Sequence, residues 1–309
     1  MIDPVCPACH GALRPRVGGS TCTRCSEEYS TVDGISRLLP AARAAHFAAF
    51  LADYTSVRKA EGRASADPEY FRRLPEPTVG GPIEWQWRIR CRTWATVRDE
   101  VFAPAVVGGR SLVVLDVGAG VGWLSNRLAE MGHQPHAIDL TIDDEDGLGA
   151  ARHFERELPR YQAEMDALPF SDGVADVVVF NASLHYSTDY VRTLTEAFRV
   201  LAPDGRIVVM ETPIYATDSA GRAMVAERHA AFQQRFGTRS DSVASIEYLT
   251  PSMLASLERD LHVLWHRHRT WYGWGWAWRP WSARLHRRRP PSTFAVLVAR
   301  RAEVARRAP

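Results

Sequence analysis

The chain lacks long apolar runs, a hydrophobic segment behind Met1 and a large net charge. No uninterrupted apolar stretch is long enough to cross a bilayer, which excludes a membrane-spanning helix. Nothing in the first residues resembles a secretory signal, so we expect a cytoplasmic protein. A net charge of +2 over 309 residues does not by itself require a nucleic-acid or membrane partner.

Cysteine is also scarce, and its distribution is uneven. Four of the five cysteines lie in the first 25 residues as two C-x-x-C pairs, Cys6 with Cys9 and Cys22 with Cys25. Two such knuckles can surround one tetrahedral zinc ion with four thiolates. Disulfides are disfavoured in a cytosolic chain, and the ribbon-like spacing favours a closed structural site over a redox pair. We predict a zinc-ribbon module over residues 1–40, with His10 as a weaker alternative ligand.

The middle of the chain contains a buried strand that leads into an acidic residue and a glycine-rich turn. Residues 112–122 read LVVLDVGAGVG, and a helix is predicted from Trp123 to Met131. The glycine spacing is G-x-G-x-G, whereas dinucleotide sites have G-x-G-x-x-G. Asp116, just before the first glycine, would repel a pyrophosphate. The pattern therefore favours a ligand with cationic groups, such as S-adenosylmethionine.

Together with later motifs, this segment resembles the cofactor site of class I S-adenosylmethionine-dependent methyltransferases. The resemblance covers about residues 110–212 in the correct order: strand 134–140, motif 164–170, strand 176–180 followed by NASLHY, and a helix, turn and strand over 194–210. It implies an α/β fold with a doubly wound, Rossmann-like sheet of seven strands, the last of them antiparallel. The methyltransferase domain would extend over residues 109–309.

The resemblance also implies which residues bind the cofactor. Asp139 is expected to hydrogen-bond the ribose hydroxyls, and Asp166 to lie beside the adenine edge. The full set of expected cofactor-binding residues is Asp116, Gly118, Ala119, Gly120, Gly122, Asp139, Leu140, Asp166, Ala167 and Asn181.

Two residues after the fourth strand are candidates for catalysis. The motif puts His185 near the carboxyl end of that strand, and an unperturbed imidazole titrates near neutrality, so it could act as a base. Alternatively, His185 packs on the cofactor or caps a helix. Asn181 could orient the acceptor or the cofactor.

Residues 41–108 are predicted to form a helical linker and lid. A helix from about Ile83 to Phe102 carries an apolar stripe that includes Trp87 and Cys91, so Cys91 is expected in the core. Trp85, Trp87 and Arg88 are candidates for a cover over the cofactor, although the helix could simply pack on the sheet. Residues 213–250 are long enough to cap the substrate.

Residues 267–291 are predicted to form a tryptophan-rich loop. With Trp265 included, six of the ten tryptophans fall within seventeen residues, and arginines surround them. Such a segment could stack nucleobases, rest on a lipid headgroup layer or wall an apolar substrate pocket.

We therefore expect a methyltransferase that acts on a small-molecule or lipid-like acceptor, with S-adenosylmethionine as methyl donor and a structural zinc ion. Two alternatives remain. One is an RNA base methyltransferase that contacts RNA through the zinc ribbon and the Trp/Arg loop, since similar ribbons precede some bacterial enzymes that methylate ribosomal RNA. The other is a non-catalytic partner subunit that binds S-adenosylmethionine.

Overall fold

A computed structural model describes residues 2–302; the last residues of the predicted 109–309 domain, 303–309, lie outside the described residues. The strands are β1 (Leu13–Arg16), β2 (Gly19–Cys22), β3 (Glu28–Val32), β4 (Ile35–Arg37), β5 (Val113–Val117), β6 (Gln134–Asp139), β7 (Arg160–Gln162), β8 (Ala175–Asn181), β9 (Leu201–Met210), β10 (Val263–His268) and β11 (Val296–Arg301). The α-helices are α1 (Ala41–Ala60), α2 (Pro68–Arg73), α3 (Glu84–Val97), α4 (Ala103–Val107), α5 (Trp123–Glu130), α6 (Tyr190–Val200), α7 (Asp218–Phe236), α8 (Pro251–Leu261) and α9 (Trp274–Leu285).

The strands form one sheet in the order β1-β2-β3-β4-β7-β6-β5-β8-β9-β11-β10. Neighbours from β4 to β9 in this order are parallel, and β11 is antiparallel to both β9 and β10. Their parallel direction brings the carboxyl ends of β5, β6 and β8 to one edge, where open α/β sheets bind ligands.

Within residues 2–302 the sheet has eleven strands, more than the seven predicted, because the N-terminal module continues it. Strand β4 pairs in parallel with β7, with Ile35 opposite Arg160. Cys6, Tyr29 and Leu38 share a buried cluster with residues of the central sheet. The module is therefore attached through backbone pairing and a common core, which sequence spacing alone did not indicate.

Two hydrophobic cores cover the two faces of the central sheet. Alternate residues of β5 face opposite sides: Leu115 belongs to one core and Val114 to the other. Helices α6 and α8 contribute to the first core, and α3 and α5 to the second. Burial on both sides explains why β5 is almost entirely apolar. Among the described residues, no helix is long and apolar enough to cross a membrane.

Several local predictions need correction. The segment 267–291 is not a simple loop, because it contains α9. The predicted helix 83–102 is α-helical only as far as Val97 and continues as a π-helical turn. Cys91 is only half-buried, and its thiol donates a hydrogen bond to the Pro75 carbonyl at 3.0 Å.

Candidate functional site

A cavity opens at the carboxyl ends of β5, β6 and β8. Its floor comes from the glycine turn after β5, the segment Asp139–Thr141, the segment 163–166 and the segment that begins at Asn181. Helices α1 and α3 supply the opposite wall. The site is therefore assembled from elements far apart in sequence, at the edge that the parallel sheet defines.

The glycine turn is shaped by a close approach between two strand ends. Gly118 has φ +76°, and a Cβ there would lie 2.2 Å from the Cβ of Ser183, far inside van der Waals contact. Gly120 also has a left-handed backbone, with φ +55°, but a Cβ there would meet nothing within 4 Å because the residue faces the cavity. The turn thus exposes bare backbone to a ligand.

Asp139 stabilises this turn and lines the cavity. One carboxylate oxygen accepts the Gly120 N–H at 2.7 Å, and the other accepts the Thr141 N–H and hydroxyl, each at 2.7 Å. Burial raises the pKa of Asp139, while these hydrogen bonds act in the opposite direction. The oxygen that accepts the Gly120 N–H has a second lone pair, so the group can still accept a hydrogen bond from a ligand hydroxyl.

Asp116 lies beneath the turn and is fully buried. Its Oδ2 accepts the Ser125 hydroxyl at 2.8 Å, whereas Oδ1 has no hydrogen-bond partner among the described residues. Burial raises the pKa of Asp116 to about 7, with the Ser125 hydrogen bond opposing the shift. The carboxyl is not among the residues that line the cavity.

Asp166 and Asn181 both line the cavity, on separate segments of its floor. Asp166 accepts the Thr193 hydroxyl and lies 3.6 Å from the Arg192 guanidinium, and burial raises its pKa. The amide oxygen of Asn181 is buried without a hydrogen-bond partner among the described residues. A ligand that donates a hydrogen bond would satisfy this oxygen.

Helix α1 covers the cavity with aromatic side chains. Phe50 and Tyr54 lie 6.2 and 5.8 Å, respectively, from the ring of Tyr186, measured between ring centroids. Two arginines near the ends of the helix attach it to the sheet: Arg43 donates two hydrogen bonds to one oxygen of Glu164 and one to the other, at 2.7–3.2 Å, and Arg58 pairs with Asp146. Helix α1 therefore forms a roof over the cavity. Its aromatic side chains line the cavity, and ion pairs near both of its ends hold it in place.

Helix α3 contributes a cation beside an indole. Arg90 lies over the Trp87 ring, 4.6 Å from its centroid, and donates to Glu211 at 3.2 Å. Burial lowers the pKa of Arg90 and raises the pKa of Glu211. Trp87 and Arg90 line the cavity, so α3 contributes to its wall both apolar surface and a buried positive charge that is already paired.

His185 is placed differently from the sequence interpretation. His185 is not one of the described residues that line the cavity. Burial, with Arg228 and Arg90 nearby, lowers its pKa to about 3. Its ring lies 4.5 Å from that of Tyr186, and its carbonyl accepts the Glu247 N–H. An imidazole of such low basicity is disfavoured as a base at neutral pH.

The cavity brings together most of the residues expected to bind the cofactor. Those that line it are Gly118, Ala119, Gly120, Asp139, Leu140, Asp166 and Asn181. Those that do not line it are Asp116, Gly122 and Ala167. Gly122 packs below the turn, where a Cβ would approach Ala151 at 3.5 Å.

Sequence reasoning missed the aromatic lining of α1. Phe47, Phe50 and Tyr54 are spaced three and four residues apart, which is a helical stripe that could have been recognised. The pairs that place the helix, Arg43 with Glu164 and Arg58 with Asp146, join residues 121 and 88 positions apart and carry no sequence signal.

The segments predicted to contact substrate lie mostly elsewhere. No described residue of 267–291 lines the cavity, and Val243 is the sole described residue of 213–250 that does. Trp85 and Arg88 line a separate cleft with Tyr272 and Trp276, whereas Trp87 faces the cavity. One face of α3 therefore lines the cavity, and the opposite face lines the separate cleft.

The four N-terminal cysteines lie close together in space. In the sequence they precede all the described residues that line the cavity. Their sulfur atoms all lie within 4.8 Å of one another; Cys6 and Cys25 are 3.6 Å apart, and Cys9 and Cys22 are 3.5 Å apart. Thiolates about 2.3 Å from a tetrahedral zinc would be about 3.8 Å apart. The donor set and its geometry fit zinc.

Comparison with known proteins places residues 115–209 in the family described as a methyltransferase domain. A malonyl-[acyl-carrier protein] O-methyltransferase of Geobacter sulfurreducens is 32% identical over 157 residues, or 50% of this chain and 51% of the relative. A demethylmenaquinone methyltransferase of Mycobacterium marinum is 36% identical, over 33% of this chain and 43% of that protein. The chain therefore spans about half the length of the first relative and less of the second.

Among solved structures, the chain is similar to a 1,6-didemethyltoxoflavin-N1-methyltransferase of Burkholderia thailandensis with bound S-adenosylhomocysteine. That similarity has 19% identity and a TM-score of 0.47 and covers 90% of this chain and 97% of the other. The family match and the sequence relatives confirm the predicted resemblance of the central part of the chain to class I S-adenosylmethionine-dependent methyltransferases.

The buried Asp116 carboxyl predicts a distinct pH dependence of stability. Its pKa is higher in the folded than in the unfolded chain, so the contribution of Asp116 to the free energy of unfolding should fall as pH rises from about 4 to about 7. Asp116→Asn cannot ionise, so its stability relative to wild type should increase over this range, by up to about 1.4 kcal/mol per pH unit. Urea unfolding between pH 4 and 8 measures the difference. The exposed Asp204→Asn variant is the control, and parallel pH profiles for Asp116→Asn and wild type would contradict the assignment.

Proposed function

We propose that the chain is a methyltransferase that transfers a methyl group from S-adenosylmethionine to a small-molecule or lipid-like acceptor. The observation that carries the proposal is the cavity at the strand ends, where the bare glycine turn, Asp139, Asp166 and the unpartnered amide oxygen of Asn181 converge. The seven strands from β7 to β10 in the sheet order, with β11 antiparallel, would be its methyltransferase sheet.

The cofactor-binding roles are those that the methyltransferase resemblance implies, and the groups present at the site are compatible with them. Asp139 would hold the ribose hydroxyls, Asp166 the adenine edge, and the turn at Gly118 and Gly120 the methionyl portion. Asp116 would interact with the cofactor from below the turn, through the carboxylate oxygen that has no hydrogen-bond partner among the described residues. When bound, S-adenosylmethionine supplies an electrophilic methyl group on a sulfonium.

Methyl transfer is an in-line displacement, so the residues of the chain mainly have to align the acceptor and exclude water. The aromatic roof of α1 and Trp87 would exclude water and hold an apolar acceptor. Arg90 would orient an oxygen-bearing group, and Asn181 would lie at the reacting centre. We reassign His185 to a supporting role, because its pKa of about 3 disfavours it as a base.

The named relatives support a small or lipid-like acceptor. Malonyl-[acyl-carrier protein] and demethylmenaquinone, the compounds in their names, are not nucleic acids. Arginines of 267–291 do not line the cavity either, so no described geometry directs RNA from that segment into it. The RNA alternative therefore remains an outcome of the test.

A transfer assay with labelled S-adenosylmethionine tests the proposed reaction. The purified protein is incubated with cell extract, which is then separated into RNA, lipid and soluble small-molecule pools. We expect label in the lipid or soluble pool with wild type and strongly reduced label with Asp139→Ala. Label confined to RNA would establish the alternative acceptor, and no label in any pool would support the non-catalytic subunit.

Calorimetry should show that the protein binds S-adenosylmethionine in preference to NAD. Asp139→Ala should weaken this binding by roughly 1–3 kcal/mol, because it removes hydrogen bonds made by a charged group. Asp204→Ala, on the exposed surface, is the matched control and should bind as wild type does. Tight NAD binding without any response to S-adenosylmethionine would reject the cofactor assignment.

We further propose one structural zinc ion per chain, held by Cys6, Cys9, Cys22 and Cys25. Elemental analysis should find one zinc in wild type and in Cys91→Ser, and much less in Cys6→Ser. Because β4 pairs with β7, chelation should lower the melting temperature of the whole fold and not only unfold residues 1–40. Protein purified without chelator that contains no metal, or iron with a visible cluster spectrum, would overturn this assignment.

A further inference from the structure

Helix α9 presents an apolar stripe to solvent. Trp274, Trp278, Trp281 and Leu285 follow one another at intervals of four, three and four residues, so they lie on one side of the helix. Their exposed fractions are 83, 65, 65 and 78%. Large apolar side chains exposed along an entire helix mark an interaction surface. We refer to these four residues as the α9 stripe.

The opposite side of α9 is anchored to the protein. The ring of Trp276 stacks on Phe294 with centroids 5.4 Å apart, and Arg279 lies 3.7 Å from the Trp276 centroid. Before the helix, the hydroxyls of Tyr272 and Thr93 are 2.9 Å apart, within hydrogen-bonding distance. These contacts fix the orientation of the helix, so the α9 stripe is held outward by packing on its other face.

The segment that carries the stripe has charge of one sign. The sequence contains no aspartate or glutamate between Asp260 and Glu303, whereas residues 267–291 contain seven arginines. Arg284 and Arg288 are exposed near the end of the stripe. Arg289, by contrast, is paired with Glu227 at 2.8 Å. The surface thus combines exposed indoles with guanidinium groups that have no carboxylate within their own segment.

We propose that α9 docks this protein on the anionic headgroup layer of a lipid bilayer. Indole rings favour the membrane interface, and guanidinium groups bind phosphate through several N–H donors. A helix with an apolar side and a basic flank lies in the plane of such an interface. A second copy of the chain is a poorer occupant, because pairing two α9 segments would bring their arginines together and neither segment contains a carboxylate.

This docking is separable from the proposed function, since the α9 stripe does not line the cavity. The two regions are nevertheless linked through α3, which carries Trp87 on the cavity side and Trp85 on the cleft beside α9. A docked enzyme would therefore hold its cavity near the lipid, where an apolar acceptor would be concentrated.

Co-sedimentation of the full chain with vesicles tests the proposal. We expect binding to phosphatidylglycerol/phosphatidylcholine vesicles, a blue shift of tryptophan emission, weaker binding as salt rises and little binding to pure phosphatidylcholine. The variants Trp274→Ala/Trp278→Ala/Trp281→Ala and Arg284→Glu/Arg288→Glu should each reduce vesicle partitioning by about tenfold or more.

Matched controls distinguish the role of the α9 surface from a general effect of losing exposed apolar side chains or positive charge. Val79→Ala/Val107→Ala removes exposed apolar side chains elsewhere, and Arg14→Glu/Arg156→Glu makes the same charge change elsewhere; both should bind vesicles within about twofold of wild type. All variants should keep the wild-type melting temperature and S-adenosylmethionine affinity. Four results would overturn the proposal: absent vesicle binding, equal binding to both lipid mixtures, unchanged binding of the α9 variants, or self-association or RNA binding in its place.

Discussion

The close approach of Gly118 to Ser183 is the constraint on which the candidate site depends. A Cβ at Gly118 would lie 2.2 Å from the Ser183 Cβ, so the turn after β5 can pack against the end of β8 only with glycine at this position. This packing joins the glycine turn to the segment that carries Asn181. Asp139 then fixes the turn from the other neighbouring strand by accepting the Gly120 N–H. Three parallel strands thus present their functional groups at one edge.

Helix α1 turns this open edge into a covered cavity. Its ion pairs, Arg43 with Glu164 and Arg58 with Asp146, connect it to two segments that follow strands of the central sheet. The N-terminal module leads directly into this helix, and its last strand, β4, pairs with β7. A metal that stabilises the cysteine cluster would therefore also support the start of the roof, which gives the module a structural reason to precede this domain.

Much of the central fold could be predicted because its signals are local. An apolar strand, an acidic residue and left-handed glycines fall together within residues 112–122, and Asp139 ends the next strand. The tertiary details could not be predicted in this way. Pairing between β4 and β7 joins residues about 125 positions apart, as in Ile35 opposite Arg160, and the roof depends on ion pairs of similar separation.

The structure corrects one sequence interpretation, that of segment 267–291, and bears on a second, the role of His185. The segment 267–291 was predicted to be a loop, yet residues 274–285 form α9, which accommodates Pro280. His185 was chosen for its ordinary pKa, but burial and two arginines lower that pKa to about 3. In both cases the tertiary environment overrode the property that the residue shows in isolation.

A crystal structure with S-adenosylhomocysteine would test the central claim most directly. The account predicts this ligand in the cavity beneath α1, with its ribose hydroxyls within hydrogen-bonding distance of Asp139 and its adenine beside Asp166. A ligand bound outside this cavity, or one inside it whose ribose makes no contact with Asp139, would contradict the account.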